Sequence, residues 1–445
     1  MATLKNKIKF GEVRTDYSLV EEMLNLFPQE IFKNPNLKWL DPTCGQGNFM
    51  KVLFNRLYKS LESVISNPVE RKVHIIEKML YMVEINHEHI GSLRKFFGEK
   101  ANIINMDFLD VHFGTFDVII GNPPFNIRGM KKVPTNTKMS KKKDGYTVWP
   151  DILRHALNLL RENGYLSFIT PSLWMKPDKA GIYALLTQAP VPYYCCLKKI
   201  RCFTNTETNR LFHGKAQTPT CFFLVQKAQP KNVLSLYENS LKRYLPYQIL
   251  TPGNPIPVFG ASVFTKLQPF LLQVGHPTFI KTSMPSSKIS LYPTPDVSFC
   301  NIRTCVLRET QPELVLEYSE QPLPYFGKKK LVLAHKMYGF PFIDEKGIYG
   351  ISRRDNYVLV DNNSNHLRKW RDFLSTKLAL YLFEGTRYRM KYLEKYVFEL
   401  IPDITKLEDF PEKITDDTMA EYFQFTEVER KAIASLHRKK YFKLQ

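Results

Sequence analysis

The chain has 445 residues, 44% of them hydrophobic, and carries a formal charge of +20 from 63 Lys and Arg against 43 Asp and Glu. That hydrophobic fraction supplies an ample core, and the basic excess points to an acidic partner, nucleic acid first among them. The amino terminus is polar and lysine-rich, no window approaches the roughly 18 apolar residues of a membrane helix, and the seven cysteines contain no CxxC pair; the reading is a cytoplasmic chain with free thiols, no metal site and no membrane partner.

In chain order, Leu19, Met23 and Phe27 fall four apart, as do Val20 and Leu24. This stripe predicts a helix opened by Asp16 or Ser18 and ended by Pro28. Residues 37–41 read as a short strand ending near Asp41, followed by a glycine-containing turn and a helix over 50–57. Residues 59–73 read as a polar excursion. Strands are expected over 79–85, 101–108, 116–125, 164–171 and 220–225, with a helix over 152–160 before the fifth strand. Short apolar strands separated by helices predict a doubly wound, mostly parallel, Rossmann-like α/β sheet. After about residue 230 prolines and polar turns dominate, so two domains are expected, 1–230 and 231–445. A helix is expected over 367–382 in the second, which reads as α+β.

Doubly wound sheets bind ligands beyond the carboxyl ends of their strands, and the unusual residues lie at such ends. The first group is Asp41-Pro42-Thr43-Cys44-Gly45-Gln46-Gly47-Asn48-Phe49. Its glycines permit a tight turn, but Met50 replaces the third glycine of the dinucleotide pattern. An acid before the turn would repel a pyrophosphate and suits a cationic ligand such as S-adenosylmethionine, which carries a sulfonium and an amino group. Glu84, followed by Ile85, ends the second strand, where an acid often accepts from ribose hydroxyls; it lies about forty residues after the loop rather than the roughly twenty of the dinucleotide rule. Asp107 and Phe108 end the third strand, an acceptor and a ring suited to an adenine. Asn122-Pro123-Pro124-Phe125 ends the fourth. Two prolines remove two backbone donors and fix φ. They hold the Asn122 amide oxygen and the Pro123 carbonyl as a rigid pair of acceptors for a planar NH2 group.

These groups, in this order, resemble the amino-methyltransferases, specifically the gamma-type adenine-N6 DNA methyltransferases of type II restriction-modification systems and large DNA viruses. The matching residues are Arg14-Thr15, 41–49, Glu84, Asp107-Phe108 and 122–125, and the resemblance covers residues 10–230. The family's first motif usually reads Thr-Pro, and here Asp16 stands in the place of that proline. The resemblance implies a methyltransferase sheet followed by a DNA target-recognition domain. It implies S-adenosylmethionine bound by Thr15, Asp41, Pro42, Cys44, Gly45, Gly47, Asn48, Phe49, Glu84, Ile85, Asp107 and Phe108. Asn122, Pro123, Pro124 and Phe125 would form the catalytic loop, acting on an adenine flipped out of double-stranded DNA. A monomer on DNA, with a cognate restriction endonuclease as a separate chain in a bacterial or virus-infected cell, completes the picture.

The segment 128–143 holds seven basic residues and no acid, among them Arg128, Lys131, Lys132, Lys141, Lys142 and Lys143. It reads as a phosphate-binding tract or a solvated loop. Arg353 and Arg354, within a stretch of interleaved basic and aromatic residues, are candidate DNA contacts. Methylation of RNA or of a protein glutamine is the alternative activity, and a silent DNA-binding module is opposed by the intact Asn-Pro-Pro-Phe.

Overall fold

The computed structural model describes residues 14–112, 114–126, 146–188, 194–214, 216, 218–308, 311–335, 340–388 and 392–436, with the side chains of Leu307, Arg308 and Gln311 set aside. The chain divides into two compact units, Met1–Leu236 and Tyr237–Gln445.

In the first unit, helix α1 (Tyr17–Leu24) buries Leu19, Val20, Met23 and Leu24, the stripe read from the sequence. The strands are β1 (Trp39–Asp41), β2 (Leu80–Val83), β3 (Asn102–Ile104), β4 (Phe116–Gly121), β5 (Leu160–Pro171), β6 (Cys196–Phe203), β7 (Thr220–Gln226) and β8 (Val233–Glu238). Helices α2 (Asn48–Ser60), α3 (Pro68–His74), α4 (His87–Phe97), α5 (Trp149–Leu159), α6 (Ile182–Thr187) and α7 (Asn205–Leu211) alternate with them. The nine-stranded sheet runs β3-β2-β1-β4-β5-β7-β6-β8-β9, with β9 spanning Arg243–Gln248. Strands β1 to β5 pair in parallel, whereas β7 lies antiparallel between β5 and β6.

Parallel strands are covered on both faces and become continuously apolar. Trp39, Leu40 and Asp41 are all buried, and Trp39 stacks on Phe32 at 5.3 Å. Strand order reverses between β1 and β4, whose residues Leu40 and Ile119 are paired. The crevice beyond the carboxyl ends of these two strands is the topological switch point at which such sheets take ligands.

Several elements depart from the sequence reading. The polar excursion over 59–73 includes helix α3, capped by Asn67, and a π-turn over Ile75–Met79 precedes β2. The third strand stops at Ile104, because Asp107 caps a 3-10 turn over Phe108–Asp110. Strand β6 was not foreseen: Lys198, Lys199 and Arg201 interrupt its apolar residues, so it shows no continuous apolar run.

The second unit holds helix α8 (Ala261–Val274) and strands β10 (Ile280–Lys281), β11 (Ile289–Ser290), β12 (Phe299–Arg308), β13 (Gln311–Ser319), β14 (Lys330–Ala334), β15 (Phe342–Asp344), β16 (Gly350–Ile351) and β17 (Asn356–Val360). They form two four-stranded sheets, β10-β17-β14-β15 and β11-β13-β12-β16. Ile302, Cys305, Val332, Ala334, Phe340, Ile351 and Val358 form a buried cluster drawn from both sheets. Helices α9 (Ser364–Leu374), α10 (Lys377–Gly385), α11 (Asp416–Tyr422) and α12 (Glu427–Ala434) complete an α+β unit. The single helix expected over 367–382 is broken at Ser375 and Thr376: the buried Thr376 hydroxyl accepts from Ala379 N at 3.1 Å and so starts a new helix.

Candidate active site

The glycine loop begins where β1 ends. Gly47 has φ of +78° and opens α2, a left-handed conformation that favours glycine. Cys44 N donates to Val83 O at 3.0 Å, which ties the loop to β2. Glu84, just beyond β2, is buried and accepts from Gly45 N at 2.6 Å and from Asn86 N at 2.7 Å. The sequence suggested an acceptor for ribose hydroxyls; in the structure this carboxylate bolts the glycine loop in place. A carboxylate has about four lone-pair sites, so two backbone donors leave capacity for further donors. Ile85 beside it is 50% exposed, an apolar surface next to a polar group.

Asp41 is 1% exposed. Its Oδ1 accepts from Thr43 N at 3.2 Å, while its Oδ2 is buried with no hydrogen-bond partner among the described residues. Burial pushes this carboxyl up to about 8, with the Thr43 amide opposing and the charge of Glu84 adding to the rise. Orphaned buried carboxylate oxygens are costly and mark sites that await a donor.

Strand β4 brings the second half of the site. Gly121 is its last residue, and a Cβ there would lie 2.8 Å from Asp41 Oδ1. Asn122 therefore follows a glycine whose smallness lets the β1 and β4 ends approach. Pro123 is buried, and Pro124 and Phe125 are half-buried. The loop is clamped from its far side: Val148 N donates to Phe125 O at 3.1 Å, and Asn126 pairs with Thr147 in an antiparallel bridge. The rigid strand-to-loop turn read from the two prolines thus has a second support that sequence spacing does not reveal.

Thr15 is buried just before α1, with its carbonyl accepting from Asn48 Nδ2 at 2.7 Å. Its hydroxyl accepts from Asn122 Nδ2 at 3.0 Å. Thr15 thus bridges the glycine loop and the Asn-Pro-Pro-Phe loop, a link across 107 residues that no motif spacing predicts. Asn48 and Phe49 are buried at the start of α2.

Asp107 caps its 3-10 turn by accepting from Leu109 N at 3.0 Å. Phe108 is buried edge-on against His155 of α5 at 4.9 Å. Arg353 in the second unit makes a bidentate pair with the fully buried Glu317, its Nε and Nη2 at 2.9 and 2.7 Å from the two oxygens. The Arg353 side chain remains 34% exposed. Arg354 is exposed. Arg128, Lys131, Lys132, Lys141, Lys142 and Lys143 lie outside the described residues. Among the described residues, no cluster of three or more His, Cys, Asp or Glu is arranged to hold a metal, and no helix is long and apolar enough to cross a membrane.

Residues 50–189 match the Eco57I restriction-modification methylase family. An uncharacterized adenine-specific methylase of Mycoplasma pneumoniae is 25% identical over 243 residues, covering 37% of this chain and 56% of that protein. The modification methylase CviBIII of Paramecium bursaria Chlorella virus NC1A is 28% identical over 173 residues, covering 38% of this chain and 40% of the relative. The alignments thus span about half the length of these curated relatives or less. Among solved structures, the type IIG restriction endonuclease BpuSI is similar over 96% of this chain and 61% of its own, with 11% identity and a TM-score of 0.43.

Proposed function

We propose that this chain is an S-adenosylmethionine-dependent DNA methyltransferase that acts on the exocyclic N6 of an adenine flipped out of the duplex. The observation that carries the reading is the placement of Asn122-Pro123-Pro124-Phe125 at the end of β4, directly beside Asp41 at the end of β1. The family match over residues 50–189 and the adenine-specific relatives support it.

The residues present fit the methyl donor. The orphaned Asp41 Oδ2 suits a cationic amino group, Glu84 retains acceptor capacity for hydroxyls, and the exposed Ile85 offers an apolar face to a ring. Asp41, Pro42, Cys44, Gly45, Gly47, Asn48, Phe49, Glu84, Ile85, Asp107 and Phe108 are the proposed cofactor region. When bound, the cofactor supplies an electrophilic methyl on a sulfonium.

The protein's part is placement. The adenine N6 lone pair is delocalised into the ring, so the amine is a poor nucleophile. Asn122 Oδ1 and the Pro123 carbonyl accept its two hydrogens, which orients the nitrogen and localises the lone pair; this is orientation and electrostatic preorganisation rather than acid–base work. Extrusion of the base costs roughly a few kcal/mol. Stacking on Phe125 returns roughly 1–3 kcal/mol, by analogy with single-strand binders. Double-stranded DNA, held partly by the basic 128–143 tract and partly by the second unit as target-recognition domain, is the proposed substrate. A monomer on DNA and a separate cognate endonuclease fit a modification enzyme.

The test is direct sequencing of modified bases in plasmid DNA from cells producing the wild type or Asn122→Ala. N6-methyladenine at one short motif, lost in the variant, is the expected result. Unmethylated DNA from a folded wild type that binds the cofactor would sink the reading and turn attention to RNA and to protein glutamine.

A further inference from the structure

We propose that Thr15 is a positioning residue for methyl transfer, acting through Asn122 rather than by holding the methyl donor. The inference rests on the proposed adenine methylation and deepens it by a residue. Its basis is the hydrogen bond from Asn122 Nδ2 to the Thr15 hydroxyl at 3.0 Å. A side-chain amide has one accepting and one donating end, and the chemistry at N6 needs the accepting end toward the target amine. A neutral acceptor engaged with the NH2 group sets that polarity and restricts rotation of the amide.

Thr15 is built for this task. It is 4% exposed, so water does not compete freely for its hydroxyl. Its main chain is held independently of Asn122. The Thr15 carbonyl takes the Asn48 side chain at 2.7 Å, and Asp16 opens α1 through its carbonyl, which accepts from Leu19 and Val20 at 3.1 Å each. Helix α1 in turn is fixed by four buried apolar side chains and by ion pairs of Glu21 with Arg56 of α2 and Glu22 with Arg201 of β6. The hydroxyl is thus a fixed point against which the amide is set. This also explains how the site tolerates Asp16 next to Thr15: the function assigned to Thr15 needs its hydroxyl and carbonyl, not a proline after it.

The experiment compares wild type, Thr15→Val and Thr15→Ser for cofactor affinity by titration calorimetry with S-adenosylmethionine, for single-turnover methylation of the cognate DNA, and for melting temperature. Valine keeps the shape and removes the acceptor; serine keeps the acceptor. A misplacement of about 1 Å can cost about 100-fold in rate. The expected result is therefore a rate lowered roughly 10- to 100-fold in Thr15→Val, with cofactor affinity within about 2-fold of wild type and most of the rate restored in Thr15→Ser. Cofactor affinity falling as far as the rate would overturn the proposal and make Thr15 a cofactor contact. An unchanged rate in a folded Thr15→Val would overturn it as well. Should Thr15→Val fail to fold, Thr15→Ser decides: a serine variant as slow as Asn122→Ala, with normal melting and cofactor binding, would show that the hydroxyl is not what Asn122 requires. A wild type that binds the cofactor and methylates no adenine defeats the underlying enzyme reading, which is seen before any variant is compared.

Discussion

Asp41 concentrates the electrostatics of the candidate site in one side chain. Burial raises its carboxyl from 3.8 to about 8. Between those values the folded protein holds a proton that the unfolded chain releases, so this group's contribution to stability falls as pH rises from about 4 to about 8 and is flat above. Asp41→Asn removes the charge and is expected to raise the melting temperature of the free protein at pH 8 while weakening cofactor binding by at least about tenfold, a trade of function for stability. A variant that binds as tightly as wild type would remove Asp41 from the cofactor region. A cationic ligand placed against Oδ2 also drives the proton off, so binding at pH 7 should release a proton, measured as a dependence of the calorimetric heat on buffer ionisation enthalpy. At this scale the places of Asp41, Glu84 and Asn122 at or just beyond strand ends were legible from the sequence. The partners were not, because Thr15 meets Asn122 across 107 residues and Gly45 meets Glu84 across 39.

Among the elements, β14 and β15 of the second unit share a buried ion pair. Lys330 and Asp344 face each other across the antiparallel pair and form a salt bridge with both side chains 2% exposed or less. Asp344 also accepts from Ile348 N and Tyr349 N at 3.1 and 3.0 Å. Burial pulls the Lys330 amine down against the stabilising pull of Asp344. Removing one partner of a buried pair strands the other charge, so Lys330→Met is expected to cost about 3–5 kcal/mol in urea unfolding. A loss below about 1 kcal/mol would mean that the two backbone amides suffice for Asp344. The strands of the first unit were readable because buried parallel strands are apolar runs. Strand β6 was not, since Lys198, Lys199 and Arg201 interrupt its apolar positions, with Lys199 and Arg201 bonded to Leu26 O and Glu22. The break between α9 and α10 was hidden for a related reason: Ser375 and Thr376 are unremarkable in a helical pattern until the Thr376 hydroxyl is seen to start a new helix.

For the whole molecule, the +20 charge makes a prediction that needs no side-chain geometry. If about six to ten phosphates are neutralised, DNA affinity should fall by about 10³ to 10⁵ between about 50 and 200 mM salt. Fluorescence anisotropy with a labelled duplex measures this, and an affinity insensitive to salt would exclude the basic excess as a DNA-binding surface. The sequence by itself determined the α/β class, the acid-and-glycine loop and the Asn-Pro-Pro-Phe turn, because these are local patterns of burial, backbone freedom and fixed φ. The tertiary structure decided which of those patterns meet. Strand order alone puts β1 beside β4, and that adjacency brings Gly121 against Asp41, where a Cβ would lie 2.8 Å from Oδ1. It also decided that Arg353, legible only as a basic residue among aromatics, is held by Glu317 of β13. Side-chain pairing over such separations depends on register and packing, which sequence spacing does not encode.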